Sequence, residues 1–385
     1  MSVLSLFKGG TRDLWERPPD NVPALDILRS AAILLVFTAH FGGLFDASPR
    51  VAKLPPFYFG WSGVDLFFVL SGLLIGTQLW RELRQSGGIH IRRFLLRRGL
   101  RIWPLYFGFI GAVAIGDLID HRPMRSIGAD VFFVSNYFHG QIAGGWSLST
   151  EEQFYIFAPV AIATLALILK PKHFWILPAL GIVVPAIARK FYIVSSSLPE
   201  ADLRQQLYFP IHTHSEGLAV GVLLAWINVF HGQWLTRWKR GIIAVAMLIA
   251  GCMLYVSSHL WFNFTALALI FGAAVCYGAE LRTKSAILNW YGFYLISRLS
   301  YGIYLNHFVV LPLLHSLLGS WRNSSGEAAF WGCYVISFLG CMIFAMVTFQ
   351  LIEWPFLQLR SRWLRATRAR PTELKSAYVA EHTAT

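Results

Sequence analysis

The sequence predicts an all-α membrane protein, a polytopic helix bundle of about ten transmembrane helices with both termini cytoplasmic. Three observations predict it. Hydrophobic residues make up 56% of the 385 residues and charged residues only 14%, where a soluble globular chain carries about 25%. Apolar runs near the roughly 17–25 residues that a bilayer demands recur along most of the chain. The basic residues crowd every second link between those runs, as the positive-inside rule describes.

The elements follow in order. Residues 1–23 are polar and read as a cytoplasmic N-terminal segment; no small-residue cleavage site follows, so the first apolar run is expected to stay as a helix. The ten predicted spans are 24–46, 57–79, 102–119, 153–169, 174–194, 208–229, 241–258, 262–279, 299–318 and 329–352. The second carries Gly60, Gly63, Gly72 and Gly76, a pattern of close helix packing. The 119–153 stretch holds a short apolar piece, Val131 to Tyr137, suited to a re-entrant or interfacial segment. Together, 24–356 reads as one membrane domain and 357–385 as a basic cytoplasmic tail, polar and disordered from about Ala366.

Orientation comes from the links. One face collects Arg81, Arg84, Arg92, Arg93, Arg97, Arg98 and Arg101, then Lys170 and Lys172, then Arg237, Lys239 and Arg240, then Arg282 and Lys284, and finally the tail arginines Arg360 to Arg370. The opposite face has chiefly Arg50, Lys53, Arg122, Arg125, Arg204 and Arg322. The richer face is therefore cytoplasmic. The formal charge of +13 belongs to these links and does not indicate nucleic acid. Cys252, Cys276, Cys333 and Cys341 fall in apolar runs without ligand spacing, so they read as small hydrophobes, and no metal is expected.

Ionisable groups inside spans are expensive and mark function by default. The first span carries Arg29 and His40. Eleven residues at about 100° return to nearly the same helix face and rise about 16 Å. Arg29 is then near the cytoplasm and His40 deep in the outer half. Asp65, His214, Glu216 and His307 reach a similar outer level, with Glu151 and Glu152 at the outer mouth of the fourth span. A histidine beside a carboxylate is the minimum for a general base. Arg29, Arg98 and Arg101 gather at the inner level, where guanidinium forks suit phosphate and Glu353 could orient one of them. Such layers suit an acyl transferase that takes a phosphorylated donor from the cytoplasm. They equally suit a proton-coupled secondary transporter of an anionic or acylated solute, although the halves show no self-similarity.

Six segments narrow the choice. LDILRSAAILLVFTAH holds Arg29, ten residues and His40; GWSGVDLFFVLSGLLIG, FLLRRGLRIWPLYF, WSLSTEEQFYIFAP, LSYGIYLNH and IEWPF follow in order. Together they resemble the acyltransferase-3 family of bacterial membrane acyltransferases. The resemblance implies a ten-span enzyme of the bacterial inner membrane that moves an acyl group, most commonly acetyl, from cytoplasmic acyl-coenzyme A to a hydroxyl of a sugar, glycan or lipid acceptor. It implies that His40 is the catalytic base, that Arg29 shares its motif, and that Arg98 and Arg101 hold donor phosphates. Asp65 first, or Glu151 or Glu216 second, is the expected carboxylate behind His40, with Glu216, His214 and His307 expected to face the acceptor. Ser71, Tyr301 and backbone near Gly63 are the expected oxyanion donors. The chain departs from the family pattern at His214-Ser215-Glu216, where Arg-x-Asp is frequent, at Trp354 in place of arginine, and at Asn306 before His307. No hydrolase-like soluble domain is expected after the bundle.

Overall fold

The computed structural model describes residues 14–19, 21–121, 126–257, 260–279, 281, 285–324 and 326–364. All regular structure among them is helical. Among the described residues ten helices are long and apolar enough to cross a membrane, and the chain is a multi-pass membrane protein. They are α1 (Pro23–Leu44), α2 (Gly63–Ser86), α3 (Ile91–Ile119), α4 (Gly145–Ile168), α5 (Ile176–Ser195), α6 (Glu216–His231), α7 (Arg237–Val256), α8 (Asn263–Gly278), α9 (Tyr291–Ser324) and α10 (Gly326–Thr348). A π-turn, Phe349–Glu353, carries α10 onward. Large apolar side chains stand bare on the outside: Leu167 is 88% exposed and Val256 80%. Such exposure in helices this apolar fits lipid as the neighbour rather than water.

Glycines set how closely the inner helices approach. A methyl group on Gly72 would collide with the Leu218 carbonyl, and one on Gly221 with the Val69 carbonyl, so α2 and α6 meet backbone to backbone. One on Gly63 would sit 2.5 Å from the Ala32 carbonyl oxygen, which draws α2 onto α1. The other side of α1 packs on α9, which also packs on α10, while α7 packs on α8. Helix α1, with the candidate residues Arg29 and His40, is thus held between α2 and α9.

Several boundaries differ from the sequence reading. Helix α3 begins at Ile91 rather than 102 and α9 at Tyr291 rather than 299; their first turns hold arginines that line a polar vestibule instead of lipid. Helix α4 begins at Gly145, directly after Gly144 in the left-handed region (φ 76°), so Glu151 lies two turns inside rather than at its mouth. Helix α6 begins at Glu216 rather than 208, because a short helix, Glu200–Tyr208, is followed by Pro210 and an irregular run. The apolar piece near 131–137 follows a short helix, Ile127–Val131, and its Asn136 is buried while Phe132 is exposed. Arg122, Arg125, His259, Arg282, Lys284 and the tail from Arg365 lie outside the described residues.

Candidate functional site

Helix α1 supplies the two residues that the sequence singled out. The His40 Nδ1 atom lies 2.9 Å from the Val36 carbonyl, one turn back. A carbonyl only accepts, so Nδ1 carries the proton and Nε2 keeps its lone pair. His307 on α9 makes the same choice, with Nδ1 donating to the Ile303 carbonyl at 3.1 Å. Its bare Nε2 faces the His40 Nδ1–H at 3.4 Å. The rings stand 5.0 Å apart, and Phe308 packs edge-on to His40 at 4.9 Å. His307 is fully buried while His40 reaches the accessible surface. The structure thus backs His40 with a second imidazole and a backbone carbonyl, where the sequence reading expected a carboxylate.

Arg29 lies just under two turns into α1. Its Nη1 reaches Ser297 Oγ at 3.4 Å, and that hydroxyl donates to Asp26 at 2.8 Å. A vestibule of about 1580 Å³ opens at this end, lined by Arg29, Arg81, Arg93, Arg97, Arg101 and Arg298 among others. A narrower cavity of about 140 Å³ shares Arg29, Leu74 and Arg101 with it and leads up the bundle. Arg98 stands in its wall, bonded to Gln78 Oε1 at 3.1 Å. Further walls are Val64, Phe67, Phe68, Ile102 and Leu148, and the far end is Ser147 and Tyr304. Tyr304 packs on His307 at 5.8 Å. A polar entrance rich in guanidinium thus narrows to an apolar arm that stops one layer of side chains from His40.

The structure commits the carboxylates elsewhere. Asp65 is bonded to His214, Oδ1 to Nε2 at 2.8 Å, and the other ring nitrogen of His214 meets the Tyr208 carbonyl at 2.6 Å. Glu216 pairs with Arg189 at 2.5 Å, both fully buried. Arg189 also donates to the Trp261 and Thr213 carbonyls and to Thr265 Oγ1. His214 and Glu216 are therefore tied into the bundle rather than turned to a ligand. Glu151 accepts from Tyr155 at 2.8 Å and lies in the cavity wall, within electrostatic range of Arg98 and Arg29. Of the expected oxyanion donors, Tyr301 gives its hydroxyl to the Ile102 carbonyl at 2.8 Å and Ser71 bonds Tyr155 at 3.1 Å.

A scan against family models matches residues 22–349 to an acyltransferase domain. The chain belongs to the acyltransferase-3 family. Relatives agree along most of its length. A Staphylococcus aureus (strain COL) protein named "Putative O-acetyltransferase" is 26% identical over 394 residues, covering 91% of this chain and 59% of its own. The peptidoglycan O-acetyltransferase OatA of Listeria monocytogenes is 24% identical, covering 87% of this chain and 55% of its own. The chain thus spans little more than half the length of these relatives. No solved structure matches it. Five of the six family segments quoted above line the two cavities or build the His40–His307 pair.

Some site residues were not singled out from the sequence. Arg298 lines the vestibule from a part of α9 that hydropathy places outside the span. It lies one residue before the LSYGIYLNH segment, which was the available signal. Gln78, which holds Arg98, lies two-thirds of the way along α2, where the apolar pattern fades. Glu353 was named from the sequence; it is buried on the π-turn, within electrostatic range of Arg101 and Arg298. A π-turn at such a place is a frequent mark of function.

Proposed function

We propose that this chain is a membrane O-acyltransferase of the bacterial inner membrane. It moves an acyl group, acetyl in the simplest case, from cytoplasmic acyl-coenzyme A to a hydroxyl of a glycan acceptor, with His40 as general base. One observation carries the reading. A single helix, α1, puts Arg29 in the wall of both cavities and, eleven residues on, a histidine whose Nε2 is bare. The basic links favour a cytoplasmic vestibule. Its six arginines suit the diphosphate and the further phosphate of the donor. The apolar arm suits pantetheine, and brings a thioester toward Tyr304. The names of the relatives support a glycan as acceptor, approaching from the exposed side of His40.

The acceptor oxygen attacks the thioester carbon while His40 Nε2 takes its proton. The Val36 carbonyl and His307 Nε2 then hold the imidazolium through its Nδ1–H. Collapse breaks the carbon–sulfur bond, and the leaving thiolate takes the proton back. General-base help of this kind is worth about 10²–10⁴ in rate. The test is His40→Ala in membranes given labelled acetyl-coenzyme A. Transfer to base-labile esters falls by about that factor. Near-normal transfer at normal protein level removes His40 from the mechanism.

A further inference from the structure

At the far end of the apolar arm, three groups meet that the mechanism above leaves unused. The Tyr304 hydroxyl lies 2.5 Å from Ser147 Oγ and 3.1 Å from the Gly144 carbonyl oxygen. Ser147 Oγ lies 3.2 Å from the same carbonyl. Tyr304 is 7% exposed and Ser147 5%, and both line the cavity. Gly144 must stay glycine twice over: its φ is 76°, and a side chain there would run into the Phe308 ring. The trio therefore has a fixed carbonyl and two hydroxyl protons.

That arithmetic matters. As the N-cap of α4 the carbonyl takes the helix's first N–H and has one acceptor position left, which either hydroxyl can fill. When Ser147 donates to Gly144, the Tyr304 proton is free to turn into the cavity without stranding a buried acceptor. A thioester that reaches the end of the arm meets this phenol, and the same ring rests against His307, which rests on His40. Other hydroxyls along the arm are committed: Tyr301 to the Ile102 carbonyl and Tyr155 to Glu151.

We propose that the Tyr304 hydroxyl is the oxyanion donor of the transfer reaction, with Ser147 as the positioning residue that relieves it of the Gly144 carbonyl. As the acceptor oxygen bonds to the thioester carbon, the carbonyl π pair moves onto oxygen, and the Tyr304 O–H bonds to that oxyanion. When the pair returns, the carbon–sulfur bond breaks, the thiolate leaves with the proton from His40, and the Tyr304 proton turns back toward Gly144 or Ser147. Nothing is oxidised, and the phenol keeps its proton throughout. The inference rests on the acyl-transfer reading and adds to it the group that stabilises the intermediate.

The experiment uses membranes of cells producing the full chain, supplied with labelled acetyl-coenzyme A, and follows base-labile acetyl esters. Tyr304→Phe keeps the ring that packs on His307 and removes only the hydroxyl. Its turnover is expected to fall about 10²–10³-fold, with the half-saturating donor concentration changed by less than about threefold. Ser147→Ala is expected to lose about tenfold. Tyr334→Phe, which deletes a phenol bonded to Thr38 in the packed core, keeps its turnover. Turnover of Tyr304→Phe within about threefold of the parent, while His40→Ala is inactive, overturns the oxyanion assignment and leaves the acyl-transfer reading standing. Full turnover in both variants overturns the reading itself. Should Tyr304→Phe fail to accumulate, 3-fluorotyrosine and 3,5-difluorotyrosine at position 304 keep the shape and make the phenol more acidic. Turnover graded with acidity supports the donor role; identical turnover refutes it.

Discussion

His40 and His214 lie in the same bundle, and their surroundings differ in the way that would separate a base from a brace. His214 spends both ring nitrogens, one on the Tyr208 carbonyl at 2.6 Å and one on Asp65 at 2.8 Å. It is 1% exposed and stacked between Phe264 at 3.9 Å and Trp146 at 5.9 Å. His40 spends one nitrogen, keeps the other bare and reaches the surface. The histidine with the carboxylate is the one that cannot take a proton from a substrate. The histidine without it has a neutral acceptor, His307, behind its N–H. If His40 is the base as proposed, proximity to a carboxylate is a poor guide to it in this bundle. The better guide is which nitrogen has no partner and can be reached.

The largest effect expected from this contrast is on stability. Asp65→Ala leaves the Nε2 side of His214 without its partner in a buried site where α2, α6 and the 209–215 run meet. Breaking one side of a buried pair costs about 3–5 kcal/mol. The purified variant should unfold at a clearly lower temperature in detergent, while the folded fraction turns over within about threefold of the parent. A normal unfolding temperature with lost turnover would make Asp65 catalytic after all and would dissolve the contrast. The Arg189–Glu216 pair belongs with the brace, since its guanidinium ties α5 to α6 and α8.

How much of this was legible follows from what a helix period can say. Hydropathy located ten spans because a run of apolar residues needs no tertiary information. Depth along a helix was also legible. Asp65 and His214 were placed at one level and are bonded; so were His40 and His307, which are in contact. What the period cannot give is which neighbour each side chain turns toward. That choice is made by helix contacts such as Gly72 against Leu218 and Gly221 against Val69, which carry α6 onto α2 and bring His214 over Asp65. Arginine-bearing turns at the starts of α3 and α9 fall outside the apolar runs because they face a polar vestibule and not lipid. Burial moves groups outside the spans as well. Asp130, in the short helix before α4, has its carboxyl pushed up by burial, opposed by the backbone N–H groups of Ile142 and Gln141. That pairing joins residues across a turn no propensity rule would have matched.

The smallest effects are the sharpest test of the His40 side. His307→Ala removes the acceptor of the His40 N–H but leaves the Val36 carbonyl in place, so the tautomer survives and only one of two supports is lost. Loss of a single neutral hydrogen bond of about 1 kcal/mol predicts roughly a fivefold to tenfold fall in turnover, with donor binding unchanged. His307→Gln restores an acceptor oxygen of comparable reach on the same helix, and should recover turnover to within about twofold or threefold of the parent. A structural role for the ring, filling space against Tyr304 and Phe308, predicts the opposite order, because glutamine packs no better than other side chains of its length against two aromatic faces. Measuring the two variants side by side at saturating acetyl-coenzyme A decides between them. If glutamine is no better than alanine, His307 is packing, and the N–H of His40 is held by its own helix alone.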